Sequence, residues 1–135
     1  MSAEKIIHTL LTNASAVTAV IGAGNIWPGE LPQGTPLPAL GVSHISTTEL
    51  PTLDASALFG LLESRIEVTV LAKDYATVKS LLTLVRKACN YQRGSIAGLA
   101  VASIRRDLVG ADARDSDLQV FSQTLDFIVT WQDPT

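Results

Sequence analysis

The residues capable of chemistry are few and scattered. His8 and His44 stand far apart, and neither has a cysteine or acidic pair at metal-ligand spacing. Both read as structural histidines, one on a helix and one at a strand end. Asp112, Asp115 and Asp117 resemble an acidic cation loop at first sight. Arg114 interrupts them, and no glutamate closes the loop where a calcium site needs one, so they read as a solvated turn. Gly22-Ala23-Gly24 follows a helical stretch instead of a strand and lacks a following Lys-Ser/Thr, which makes it a poor phosphate cradle. Asp54, Ser56 and the histidines form no recognisable triad. Arg105 and Arg106 are neighbours on one strand and point to opposite faces, so the two do not form a patch. Cys89, the single cysteine, lies in an apolar helical stripe and reads as a small buried hydrophobe. The pattern predicts no enzyme, no metal and no cofactor.

The elements around these residues are easier to read. Ser2 can cap a helix whose apolar positions are Ile6, Ile7, Leu10, Leu11 and Ala14. Ser15 opens a second short turn through Val17, Val20 and Ile21, ended by Gly22. Ala39 to Ser46 reads as a first strand. Ser64 to Ala72 alternates, with Ile66, Val68 and Val70 opposed to Arg65, Glu67 and Thr69. Asp74 caps a helix from Tyr75 to Tyr91 whose stripe is Tyr75, Val78, Leu81, Leu82, Val85, Ala88 and Cys89. Leu99 to Val109 and Gln119 to Trp131 are two long strands joined through the Gly110–Asp117 turn, which predicts an antiparallel hairpin. The expected fold is therefore α+β, in the order α-α-β-β-α-β-β. It has a mainly antiparallel four-stranded sheet with helices packed on one face. The expected core contains Ile66, Val68, Leu81, Leu82, Val85, Phe127 and Val129.

Two segments fit no regular element. Asn25 to Pro38 carries four prolines and two glycines around Trp27, so it must be an extended, semi-rigid arm. It presents Ile26, Trp27, Leu31 and Leu37, which need cover. The connection from Thr47 to Gly60 carries Leu50, Leu53, Leu58 and Phe59, too apolar for a free solvent loop. It folds over its own sheet or meets another subunit, and both readings fit. On this basis Trp27, Leu31, Leu53, Leu58 and Phe59 are the candidate subunit contacts.

A chain of 135 residues reads as one domain, 1–135, large enough to bury a core without disulfides or metals. The start Met1-Ser2-Ala3-Glu4-Lys5 has no cationic stretch before an apolar one, and no apolar run approaches membrane-spanning length. A cytosolic site of synthesis and no membrane partner are expected. The net charge of −3 offers no general attraction to DNA or to an acidic membrane.

The order of these segments carries a family resemblance. The pattern is Ala16-Val17-Thr18-Ala19-Val20-Ile21-Gly22, then Asn25-Ile26-Trp27-Pro28, then Leu31-Pro32-Gln33-Gly34-Thr35-Pro36-Leu37-Pro38 running into a strand. The strand Arg65-Ile66-Glu67-Val68-Thr69-Val70 and the helix from Tyr75 complete it. Over nearly its whole length the chain resembles the tail completion, or tail terminator, proteins of long-tailed bacteriophages and prophages. Trp27 stands where such proteins often show a tyrosine, and the Thr47–Gly60 connection is long. The resemblance implies a six-fold ring that caps the finished tail tube and joins it to the head connector. The implied partners are further copies of the chain, the tail tube protein and a head-completion or connector protein. DNA would pass through without specific binding. Location in the virion at the tail-neck junction, after assembly in the host cytoplasm, is implied too. Asp112, Arg114, Asp115 and Asp117, on a protruding turn, are the candidate contacts to tube or connector. Two alternatives are another neck or minor tail protein and a small α+β ligand-binding module.

Overall fold

A computed structural model describes residues 3–29, 31–32, 34–49 and 61–132. In chain order it contains α1 (Ala3–Asn13), α2 (Ser15–Thr18), a 3-10 turn (Ala23–Asn25), β1 (Ile26–Pro28), β2 (Ala39–Glu49) and β3 (Leu61–Ala72). Then come α3 (Tyr75–Cys89), β4 (Gly94–Ile96), β5 (Leu99–Val109), β6 (Ala113–Asp115) and β7 (Val120–Gln132).

Strands β3 and β7 form the spine. They pair antiparallel without a register shift, from Leu61 opposite Gln132 to Ala72 opposite Phe121. Side chains alternate across a pleated strand, so this register puts Ile66, Val68 and Val70 on the same face as Leu125, Phe127 and Val129. Those six are buried and join Ile6, Ile7 and Leu11 of α1 and Val78, Leu81 and Val85 of α3 in one core. The opposite face carries Arg65, Glu67, Asp126 and Ile128. There Arg65 bridges Asp126 (3.0 Å) and Asp107 of β5 (2.6 Å). Ile128 is buried on this outer face between its ladder neighbours Arg65 and Arg105.

The expected α+β fold, a four-stranded antiparallel sheet with helices on one face, is overturned. Among the described residues the protein is mostly β, a mixed seven-stranded sheet curled into a half-barrel, with three helices. The strand order is β1-β2-β3-β7-β5-β4, and β6 pairs with β7 off this path. Three physical causes account for the difference. Ile26–Pro28 of the arm pairs parallel with Leu40–Val42, and an edge strand bonds on one side only, so Pro28 loses nothing by lacking an N–H. Strands β4 and β6 are three residues each, too short for alternation to register in the sequence. Register shifts between His44 and Ser46 in β2, and at two places in β5, bend both flanks of the spine, and bulges increase twist.

Strand β2 also runs on to Glu49 and β3 starts at Leu61, so part of the expected Thr47–Gly60 connection is ladder, with Glu49 opposite Leu62. Leu50, Leu53, Leu58 and Phe59 lie outside the described residues. Helix α3 begins as expected, with the Thr77 N–H donating to Asp74 Oδ1 at 2.8 Å. It ends at Cys89, and Tyr91 takes φ 65. Among the described residues no helix is long and apolar enough to cross a membrane.

Leu81 is buried in the core, whereas Leu82, expected there too, is half-buried at its margin. Leu81→Ala is expected to cost about 2–5 kcal/mol in urea unfolding, the range for deleting a buried leucine side chain. Leu82→Ala should cost no more than about half as much. Equal losses would show that the two leucines share one environment.

Candidate functional site

The hairpin of β6 and β7 is fastened at its root and free at its tip. Gly110 stands where the chain leaves β5. Its N–H donates to the Thr124 carbonyl (2.9 Å), its carbonyl accepts from Gln123 Nε2 (2.7 Å), and a Cβ there would collide with the Thr124 hydroxyl. Gln123 is buried, and its Oε1 accepts from Lys79 Nζ at 2.5 Å. Lys79 also pairs with Asp112 Oδ1 at 2.5 Å, while the Tyr75 hydroxyl donates to Asp112 Oδ2 at 2.8 Å. The Lys79 ammonium lies 4.8 Å from the Tyr75 ring centre. Tyr75 meets Phe121 edge-on at 6.1 Å, and Arg114 lies over Phe121 at 5.2 Å. Asp112 is therefore a clamp between the hairpin and α3. Lys79 first, and Tyr75 second, hold its carboxyl below the usual range, and Asp112 in turn raises Lys79.

At the tip the chemistry changes. Asp115 Oδ1 accepts from the N–H groups of Asp117 (3.0 Å) and Leu118 (3.1 Å), which closes the turn. The Asp117 carboxylate has no partner among the described residues, and the Leu118 side chain is 71% exposed. Of the four hairpin residues singled out from the sequence, Asp112 and Arg114 brace the root. Asp115 shapes the tip, and the Asp117 side chain makes no bond among the described residues.

The arm is likewise held. Asn25 Nδ2 donates to the carbonyls of Pro36 (2.6 Å) and Pro38 (2.8 Å), and Asn25 Oδ1 accepts from Trp27 Nε1 (3.0 Å). His8 Nε2 pairs with the Ile26 carbonyl at 2.9 Å. Trp27 and Leu31 are half-buried, and Leu31 packs over Gly41, where any Cβ would lie 3.0 Å from Leu31 Cδ1. Trp27 and Leu31 thus share one sheet edge. The hairpin residues lie across the sheet from them, with β2, β3 and β7 between. Leu53, Leu58 and Phe59 fall outside the described residues.

His44 Nε2 meets the Thr47 hydroxyl (2.6 Å), Thr47 meets Ser64 (2.7 Å), and Trp131 Nε1 donates to Ser64 (2.8 Å). This chain ties β2, β3 and β7 together. Cys89 is buried, and burial pushes its thiol well above the ordinary range, which suits a packing role. Among the described residues no three His, Cys, Asp or Glu side chains gather as a metal site would need.

One feature escaped the sequence reading. A groove of about 280 Å³ runs between α3 and the sheet, with Leu82, Val109 and Leu125 as floor and Lys79, Arg86 and Arg106 as rim. A second hollow beside it shares Arg86 and Arg106 and is lined also by Lys87, Asn90 and Tyr91. Arg105 and Arg106 do face opposite ways: Arg105 pairs with Asp107 at 3.2 Å, while Arg106 joins the cations of α3. The signal was the spacing of Lys79, Leu82, Thr83 and Arg86 along one helical flank. Which strand lay beneath that flank was not in the pattern.

The profile of the tail completion protein gp17 family matches residues 5–132. The chain belongs to that family. This gp17-family protein is a structural tail protein. No curated protein matches its sequence significantly. Among solved structures it shares its fold with a chain from the virion of a native gene transfer agent particle. The two are 13% identical with a TM-score of 0.72, over 98% of this chain and 96% of the other.

The Asp112 clamp has a pH signature. A carboxyl depressed in the folded state adds stability above its unfolded pKa, and loses it as pH falls through the folded value. The gap in melting midpoint between wild type and Asp112→Asn should be constant above about pH 5 and close below about pH 4. A gap that persists unchanged at pH 2 would show that the carboxylate is not what holds the hairpin.

Proposed function

We propose that this protein closes the finished tail tube as a homohexameric ring and provides the joint to the head connector. Family membership over residues 5–132 carries the reading. A tube made of stacked rings grows until its last face is covered, so a terminator needs one face complementary to the tube and one that is not. A ring needs two different surfaces per copy, because only a heterologous contact closes head to tail. The arm edge with Trp27 and Leu31 and the protruding hairpin with Asp117 lie apart, with β2, β3 and β7 between them, and can serve different contacts.

We assign Trp27, Leu31, Leu53, Leu58 and Phe59 to contacts with neighbouring copies, since they are large apolar groups on the proline-rich arm and in the apolar Thr47–Gly60 stretch of the sequence. The tube protein and the connector protein are the axial partners. The protein acts in the virion at the tail-neck junction, after assembly in the host cytoplasm. DNA passes through the ring without being held. A charge of −3 per chain, hence −18 over six chains, keeps phosphate affinity low, because tight phosphate binding needs clustered, free Lys and Arg.

The test is the mass of the assembly, free and on tails, compared with six copies of the 14.3 kDa chain. Replacing both Leu58 and Phe59 with Asp should abolish rings and leave the circular dichroism spectrum unchanged. Rings and finished tails from that double variant would remove these residues from the interface. A wild type that stays monomeric on finished tails would remove the ring.

A further inference from the structure

Resting on the ring reading above, we propose that the hairpin tip of one copy, residues 115–118, docks in the cationic groove between α3 and β5 of the next copy. The two surfaces complement each other in both charge and polarity. The groove offers Arg86 and Arg106, and the hollow beside it adds Lys87; these three cations have no carboxylate partner among the described residues, and the groove's apolar lining is Leu82, Val109 and Leu125. The tip offers the unpaired Asp117 carboxylate and the exposed side chain of Leu118. The carboxylate would meet the rim while the leucine covers the floor, the usual division between a polar rim and a desolvated centre.

A copy cannot fill its own groove. Asp115 stands opposite Val120 and the tip runs on away from the groove, whose Leu125 and Arg106 (opposite Phe127) lie five and seven residues further along β7, roughly 16 and 23 Å at about 3.3 Å per residue. The donor must be another molecule, and a tip-to-groove contact is heterologous, as ring closure requires. The root clamp of Lys79, Tyr75 and Asp112 fixes the hairpin before docking, so little ordering remains to oppose association. Lys79 already has Asp112 as its counter-ion, which leaves the other three cations to the incoming tip.

The occupant is a protein segment and not nucleic acid. A phosphate backbone would use the rim and leave the apolar floor uncovered. An open cluster of cations in a ring threaded by DNA would also retard the DNA. Seating the acidic tip removes that cluster from the surface.

The experiment uses two full-length variants. One reverses the tip, with Ser116→Arg and Asp117→Arg. The other reverses the groove, with Arg86→Glu and Arg106→Glu. Each is supplied alone, and then both in equal amounts, to particles assembled without the native protein; ring mass is measured in parallel. Each variant alone should associate on the order of 100-fold more weakly than wild type, because like charges then face each other. The mixture should restore rings and finished tails, since alternating copies set every arginine tip against a glutamate groove. Single variants that form wild-type rings would overturn the contact. So would a mixture no better than either variant, when both keep the melting midpoint of wild type. A tip variant that forms rings yet leaves tails unfinished would move the tip to the tube or connector. Binding of duplex DNA by wild type at physiological salt, lost in the groove variant while rings persist, would assign the groove to nucleic acid. Wild-type copies that never assemble would overturn the ring reading itself.

Discussion

The unbroken antiparallel pairing of β3 with β7 is the constraint on which the rest of the structure depends. Its register decides, residue by residue, which side chains face the core. A slip of one position would turn Ile66, Val68 and Phe127 outward and bring Arg65 and Asp126 in. The two faces are therefore reciprocally enforced. One is held by burial against α1 and α3. The other is held by Arg65, which bridges the nearly buried Asp126 and Asp107 on the adjacent strand. Removing Arg65 would strand a carboxylate with little access to water, so the outer network guards the register as much as it adds stability.

Everything proposed for assembly hangs from the two ends and two edges of this spine. The arm is an edge strand with its prolines turned to advantage, since proline on a free edge also discourages unwanted strand addition. Asn25 fastens it by bonding two proline carbonyls and the Trp27 indole. Strand β6 of the hairpin pairs with the first residues of β7, on the side opposite β3; α3 grips the hairpin's root, and its tip exposes Asp117 and Leu118. The ladder thus makes a stiff frame with two differently built projections.

The elements with long, clean patterns were legible in the sequence. The Asp74 cap and the 3.6-residue stripe placed α3 within two residues of its observed end, and alternation placed β3 and the core face of β7. The order of arm, strand and helix was enough to suggest the family, and the family match bears that out. The sheet itself was misread. Three-residue strands have no period to detect, and bulges that curl a sheet depend on pairing partners that a single sequence does not display. The candidate residues divided for the same reason. Asp112 looked like a solvated turn residue because Lys79 and Tyr75, which engage it, lie more than thirty positions earlier in the chain. Arg106 looked isolated because its neighbours in the groove come from a helix that only the fold brings alongside.

The central claim is that this chain ends tail growth and prepares the tail for its head. Electron micrographs of particles assembled without the protein test it most directly, because tail length and head attachment are both read from a single image. Overlong or headless tails, corrected when the protein is supplied again, are the predicted result. Tails of normal length, joined to heads in its absence, would contradict the account.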